Sequence, residues 1–312
     1  MMGNENNMHQ DQGSQSNMLK VLALQKKTLG TPRENLDRVK EMLEEAAPPA
    51  GGSGTPLEDQ GAVVEDHGAA PDVILLPEIF TCPYDNSCFP VFAQEEDGEV
   101  CRELSSIARQ YHAYLVGGSV PERSADGRIY NTSYVYDRTG RRIARHRKVH
   151  LFDIDVPGGQ YFKESDILSP GESVTVFDTE FGKMGVCICF DIRFPEMFLE
   201  MRKMGVRMVF VPAAFNMTTG PAHWEVLFRS RALDQQIYVL GCSPARDAEA
   251  SYIAYGHTIL TDPWGRVVQE LDEKEGMLCA AVDLAYADSV RQQIPLGSHG
   301  VSAPVHLGKS AL

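Results

Sequence analysis

No stretch of this 312-residue chain stays apolar for the roughly 20 residues that a helix needs to cross a bilayer. Residues 1–18 hold no Lys or Arg and are rich in Asn and Gln. They lack the basic end and apolar stretch of a secretory signal, and the Arg-rich face of a transit peptide. We read 1–18 as a disordered tail and expect a cytoplasmic protein. A basic excess is missing as well. Against 29 Lys and Arg stand 43 Asp and Glu, a formal net charge of −14. That balance gives no electrostatic case for binding nucleic acid or an anionic membrane. The 7 cysteines form no regular framework, and their odd number fits free thiols in a reducing compartment. Cys82, Cys88 and Cys101 lack zinc-ligand spacing with a His partner, so no metal is expected. No unit recurs at the roughly 20–50-residue period of repeat folds.

What is present reads as one α/β domain over 19–295. At 43% hydrophobic and 23% charged, the composition is that of an ordinary globular chain. Leu19 to Gln25 is a first strand. Thr31-Pro32-Arg33-Glu34 is a helix start with cap, N-terminal Pro and capping-box Glu, and Leu36, Val39, Leu43 and Ala46 share one helical face. The helix should end before Pro48 and Pro49. Residues 48–70 are rich in Gly, Pro, Ala and acids, and between Glu44 and Asp72 there are seven acids and no Lys or Arg. That composition cannot bury a core, so 48–70 is read as a disordered insertion, with an acidic docking site as the alternative. Asp72 to Glu78 is a second buried strand that ends in a carboxylate, and Val100, Leu104, Ile107, Ala108 and Tyr111 mark an amphipathic helix. Strands are expected at 114–119, 130–136, 141–145, 174–179, 184–190, 206–211, 237–242, 258–261, 267–270 and 277–282. Helices fall at 197–204 and 222–236, 148–158 is a loop, and order fades from Ala285, leaving 296–312 as an irregular tail. Strands interleaved with helices and hairpins predict mixed sheets with helices outside.

The chemistry centres on Gly185-Val186-Cys187-Ile188-Cys189-Phe190-Asp191-Ile192-Arg193-Phe194-Pro195-Glu196. A short apolar strand turns polar at Asp191, and Pro195 sits where a helix can begin. A thiol at a strand end, just before a helix start, is where α/β folds carry reactive groups, and the helix end favours the thiolate. The plainer reading is two small buried hydrophobes, Cys187 and Cys189. Two further strand endings carry reactive groups. Glu78 follows Leu76-Pro77, and Lys148 closes the basic run Arg145-His146-Arg147-Lys148. Taken singly, Glu78 could cap a helix or pair with an Arg, and Lys148 could belong to a solvated face. Together they supply nucleophile, base and cation, a set sufficient for acyl transfer.

Leu76-Pro77-Glu78, Arg147-Lys148-Val149-His150-Leu151-Phe152 and the stretch 185–196 resemble, in order, the three signature segments of the nitrilase (carbon–nitrogen hydrolase) superfamily. Residues 152–158, 214–225 and 291–295 are most similar to its omega-amidase branch, which includes the amidases for 2-oxoglutaramate and deaminated glutathione. The resemblance implies a four-layer αββα sandwich, often paired into a homodimer, and no metal or organic cofactor. It implies Glu78 as general base, Lys148 as the cation at the oxyanion and Cys189 as nucleophile. Glu164 would help position substrate or Lys148, and the Phe190 N–H would be a second oxyanion donor. The substrate would be a small amide with a far carboxylate. Arg193 is the candidate to meet that carboxylate, with Thr219 as a neutral donor and Phe215 and Tyr84 beside them. His223 and Trp224 are expected to pack under the site, and His223 is not the base. Phe190 stands where Tyr is common in the family, Cys187 where many relatives carry Gly, and 296–312 does not resemble the family's tail. Rival readings are an N-carbamoyl amino-acid or ureidopropionate hydrolase, a deaminated-glutathione amidase and, more distantly, a non-catalytic scaffold.

Overall fold

In the first strand, β1 (Met18–Gln25), Val21 and Ala23 face one way and Leu22 and Leu24 the other, and all four are buried. A strand apolar on both faces needs a layer on each side, and that requirement sets the architecture. The computed structural model describes residues 18–46, 62–63 and 70–296.

The first half of the described chain runs through α1 (Pro32–Glu45), β2 (Ala62–Val63), β3 (Val73–Leu75), α2 (Cys88–Phe92), α3 (Glu99–Gln110), β4 (Tyr114–Val116), β5 (Val120–Arg123), β6 (Ile129–Tyr136) and β7 (Arg142–Arg147). The hairpin β8 (Asp153–Asp155) and β9 (Tyr161–Lys163) follows, then β10 (Thr175–Thr179), β11 (Gly182–Val186), α4 (Pro195–Lys203), β12 (Met208–Pro212) and α5 (Gly220–Gln235). The described chain closes with β13 (Tyr238–Cys242), β14 (Ile259–Thr261), β15 (Val267–Glu270), β16 (Gly276–Asp283) and α6 (Leu284–Gln293). One sheet has the order β2-β16-β1-β3-β4-β6-β5, with β7 also on β6, and the other runs β10 to β15 in sequence. Both are mixed: β1, β3 and β4 are parallel in the first, β11, β12 and β13 in the second, and the remaining pairs are antiparallel.

The sheets pack face to face. Val21, Ala23, Leu75 and Val116 of one meet Val186, Phe210, Tyr238 and Leu240 of the other. Leu22, Leu24, Ile74 and Leu115 turn outward onto Leu36, Val39 and Leu43 of α1 and Leu104 and Ile107 of α3. On the far side Val209, Val211 and Val239 carry Phe198 and Met201 of α4 and Trp224 and Phe228 of α5. The layers are thus helix, sheet, sheet, helix, as the expected αββα sandwich requires. The capping box of α1 forms as read: the Thr31 hydroxyl accepts from the Glu34 N–H, and Glu34 accepts from the Thr31 N–H at 3.0 Å.

Five local expectations need correction. The strand expected over 184–190 leaves the sheet at Val186, and Cys189–Arg193 forms a 3-10 turn. The cause is Asp191: its carboxylate accepts the Ile188 N–H at 3.0 Å while its own N–H returns to the Ile188 carbonyl at 3.0 Å. The loop expected over 148–158 contains β8, paired with β9 in a small separate sheet. Order does not fade at Ala285: Asp283 caps α6 by accepting the Ala285 N–H, and Leu284, Ala287 and Val290 are buried along it. Within 48–70, expected to lack structure, Ala62 and Val63 pair with Val282 and Ala281 at the edge of the first sheet. Met18, assigned to the tail, opens β1. The rest of 1–17, most of 48–70 and 297–312 lie outside the described residues.

Candidate active site

Leu76 and Pro77 carry the chain off β3, and Glu78 is 1% exposed at the sandwich end. The loop after β4 presses on this point. Gly118 has φ +56, and a Cβ there would lie 2.2 Å from the Pro77 carbonyl oxygen, so only glycine fits. Beyond Glu78, Ile79 is held at φ 45, an unusual conformation for a β-branched residue. Glu78 Oε1 accepts from Asn131 Nδ2 at 2.9 Å and from Lys148 Nζ at 2.9 Å, and Oε2 accepts the Ala214 N–H at 2.8 Å.

Lys148 lies just past β7, its N–H bonded to the Asn131 carbonyl at 2.8 Å. It is not part of a solvated face: its side chain is 0% exposed. Nζ pairs with Glu78 and, at 3.0 Å, with Glu164 Oε2. Glu164 is buried too, and accepts the Tyr84 hydroxyl at 2.6 Å and the Phe152 N–H at 2.6 Å. Burial would pull the Lys148 pKa down, but Glu164 and Glu78 outweigh it and hold the ammonium charged above its usual range. Burial pushes the Glu78 carboxyl up; Lys148 opposes this and Glu164 adds to it, leaving it above the ordinary value.

Cys189 opens the 3-10 turn at φ 45 and is 3% exposed. Its thiol is close enough to the Glu78 carboxylate and the Ala214 N–H for both to act on its ionisation. Here the sequence expectation of a helix-stabilised thiolate fails. Burial, then Glu78, raise the thiol well above its ordinary pKa, and Lys148 does not compensate. The arrangement places a thiol and a carboxyl, each with its pKa raised by burial, side by side, with the Lys148 ammonium on the carboxyl. The Phe190 N–H sits in the first turn, where backbone donors have no partner within the helix.

The other candidates separate into two groups. Tyr84 belongs to the charged cluster, with its hydroxyl on Glu164 and 3.4 Å from Lys148 Nζ. The Arg193 guanidinium lies between the rings of Phe190 and Phe215, at 5.3 and 5.1 Å, and donates to His223 Nδ1 at 3.2 Å. Its Nε is buried without a hydrogen-bond partner. Its pKa is lowered by burial, with Cys189 acting in the other direction. The Thr219 hydroxyl is already engaged, donating to Asn216 Oδ1 at 3.1 Å, so it does not stand free as a donor. His223 does not pack beneath the site but is exposed beside Arg193, and Trp224 is buried with Nε1 on the His257 carbonyl. Cys187 is fully buried among the apolar residues under α4 and α5, and burial raises its thiol well above the ordinary value.

Asn131, Ala214, His146, His150, Asp191 and Tyr252 escaped the sequence reading. Tyr252 stacks on Tyr84 at 4.5 Å and donates to the Ala214 carbonyl at 2.5 Å. Only the alternation His146, Lys148, His150 carried a signal: three polar side chains on one side of an extended segment. A cavity of about 280 Å³ reaches the cluster, lined by Glu78, Ile79, Tyr84, Ala214 and Tyr252. Among the described residues no group of His, Cys, Asp and Glu is arranged to hold a metal ion. The residues gathered here have the components for attack on a carbonyl carbon: a nucleophile, a proton acceptor and donors for an oxyanion.

A family model described as carbon–nitrogen hydrolase matches residues 21–292. The omega-amidase NIT2 of Xenopus tropicalis is 44% identical over 263 residues, covering 84% of this chain and 88% of that protein. The omega-amidase NIT2 of Homo sapiens is 46% identical over 224 residues, covering 72% and 81%. Among solved structures, Saccharomyces cerevisiae Nit3, a member of branch 10 of the nitrilase superfamily, aligns with a TM-score of 0.77 at 37% identity, covering 89% of this chain and 95% of that one.

Proposed function

The chain belongs to the carbon–nitrogen hydrolase family, and on that premise we propose that this amidase hydrolyses the terminal amide of small dicarboxylic acid monoamides. Succinamate and 2-oxoglutaramate are the substrates to try first. The observation that carries the reading is the buried triad: Lys148 Nζ 2.9 Å from Glu78 Oε1, with the Cys189 thiol in reach of the same carboxylate. Glu78 takes the thiol proton as sulfur attacks the amide carbon, which avoids forming a free thiolate in a buried site. Negative charge then gathers on the carbonyl oxygen, and Lys148 and the Phe190 N–H stabilise it. Each such donor contributes about 3 kcal/mol. The C–N bond breaks, Glu78 returns the proton to nitrogen, and ammonia leaves a thioester on Cys189. Water, deprotonated by Glu78, attacks the thioester carbon, and the thiol leaves protonated. Glu164 holds Lys148 in place throughout.

Arg193 meets the far carboxylate of the substrate. In support, its guanidinium pairs with a histidine and two rings, not with a carboxylate, among the described residues. Mass spectrometry of protein quenched during turnover of succinamate tests nucleophile and substrate class together. An acyl adduct on Cys189 is expected. Faster ammonia release from N-carbamoyl-β-alanine than from either monoamide would transfer the protein to the carbamoyl hydrolases. We also propose a homodimer. Val226 and Leu233 are exposed along α5 beside Trp264, and Leu199 is exposed on neighbouring α4. Sedimentation should give twice the chain mass. The 7 cysteines, all free, fit a cytoplasmic location.

A further inference from the structure

The two halves of the triad come from different sheets. Glu78 and Lys148 follow β3 and β7 of the first, and Cys189 follows β11 of the second. Their spacing is therefore not fixed by either sheet alone. Asp191 ties the lysine segment of the first sheet to the nucleophile turn of the second. Asp191, 0% exposed, accepts from His146 Nε2 at 3.0 Å, from His150 Nδ1 at 2.8 Å, from the His150 N–H at 2.9 Å and from the Ile188 N–H at 3.0 Å. His146 and His150 lie two residues to either side of Lys148, and Ile188 directly precedes Cys189. His146 is itself anchored across the sheets, its Nδ1 3.0 Å from the Thr175 hydroxyl of β10.

We propose that Asp191 is a positioning residue that fixes the distance between the Lys148 ammonium and the Cys189 sulfur across the two sheets. It touches no reacting atom. Its four donors fill the carboxylate, two from the lysine segment as side chains, one as backbone, and one from the nucleophile turn. Removing its charge leaves buried imidazole and backbone donors poorly matched, and lets the lysine segment and the nucleophile turn separate. The consequence falls on the step that needs Lys148 and the thiol together, which is oxyanion formation. It falls far less on a reaction that needs only the thiol and Glu78.

This rests on the amidase mechanism above, and the test separates the two. Asp191→Asn keeps the size of the side chain but presents an NH2 where a ring or backbone donor already points. Amide turnover should fall about a hundredfold with KM within about threefold, since a misplacement of an ångström has that effect. Alkylation of Cys189 by iodoacetamide, which forms no oxyanion, should stay within about threefold. Turnover within about threefold of wild type would overturn the proposal. So would equal losses in turnover and alkylation accompanied by a lower melting temperature, since that is general loosening. His150→Asn, at a half-exposed site, serves if the first variant does not fold. It should lose turnover about tenfold with alkylation retained, and parallel losses in both would count against the proposal. Failure of the amidase reading would appear in the wild-type protein, as alkylation of Cys189 without hydrolysis of any amide.

Discussion

Lys26 and Lys148 are both 0% exposed, and they are buried in opposite ways. Lys148 faces two carboxylates, Glu78 and Glu164. Lys26, just past β1, hydrogen-bonds to neutral oxygens, Asn35 Oδ1 at 2.5 Å, the Lys27 carbonyl at 2.8 Å and the Phe80 carbonyl at 3.3 Å, and the Glu275 carboxylate acts on it without a direct bond among the described residues. Loss of water affects both. Directly bonded counter-charges outweigh it at Lys148, while the more remote Glu275 does not at Lys26, where burial pulls the pKa from 10.5 down to about 7. Burial alone therefore does not decide whether a buried amine stays charged. Direct contact with a counter-charge does. Arg193 is a third case, a partly buried cation with aromatic faces and a histidine, whose counter-charge we assign to the substrate.

The largest effect should come from removing the better-compensated amine. Lys148→Met takes away the cation we assign to the oxyanion and leaves Glu78 and Glu164 facing each other. Turnover should fall about a hundred- to a thousandfold, with the protein still folded because one carboxyl can take up a proton. Steady-state ammonia release and a urea melt measure the two parts. Next comes the cation with no carboxylate partner among the described residues. Arg193→Leu should raise KM for succinamate about ten- to a hundredfold, the range of a charge-assisted hydrogen bond, and change KM for an uncharged amide much less. Equal losses on both substrates would remove the clamp.

A smaller step moves Lys148 toward the surroundings of Lys26. Glu164→Gln leaves one carboxylate on the ammonium and should lower kcat about tenfold, with little change in KM. The mildest change runs the other way. Asn35→Asp would give Lys26 a counter-charge, and its signature is in the pH dependence of stability. In the folded protein Lys26 releases its proton near pH 7, whereas in the unfolded chain it holds it to about 10.5. Between these values the unfolded state binds more protons, so Lys26 makes stability rise with pH. Lys148 has its pKa raised by folding, so its contribution is complete below the unfolded value and is lost only at higher pH. Denaturant midpoints from pH 7 to 10 should thus show a rising component in the parent. Asn35→Asp should flatten it, and an unchanged slope would mean that Lys26 is not the group responsible.

Much of this was legible before folding. Leu-Leu-Pro-Glu and the run ending at Phe190 read as buried strands that stop at a reactive group, and Glu78 and Cys189 meet in the fold. The Thr31–Glu34 cap read correctly because capping is local, all four residues lying within one turn. Lys148 was ambiguous because its neighbours Arg145 and Arg147 are indeed partly exposed. Asp191 escaped because its partners His146 and His150 are 45 and 41 positions away. Lys26, beside Lys27, looks like any solvated basic pair until Asn35 and Phe80 close over it. Thr219 was read as free because nothing local shows that Asn216 turns back to take its hydroxyl.

The sequence by itself determined which residues are apolar on which side, where caps and prolines begin helices, and which reactive groups ride on strand ends, because these depend on neighbours within a few positions. Tertiary structure alone decided that burial and Glu78 push the thiol pKa up, that one buried lysine keeps its charge while the other is drawn toward losing it, and that an aspartate ties the lysine segment to the nucleophile turn. Those outcomes depend on water being excluded and on charges brought together from distant parts of the chain, and neither exists until the layers close.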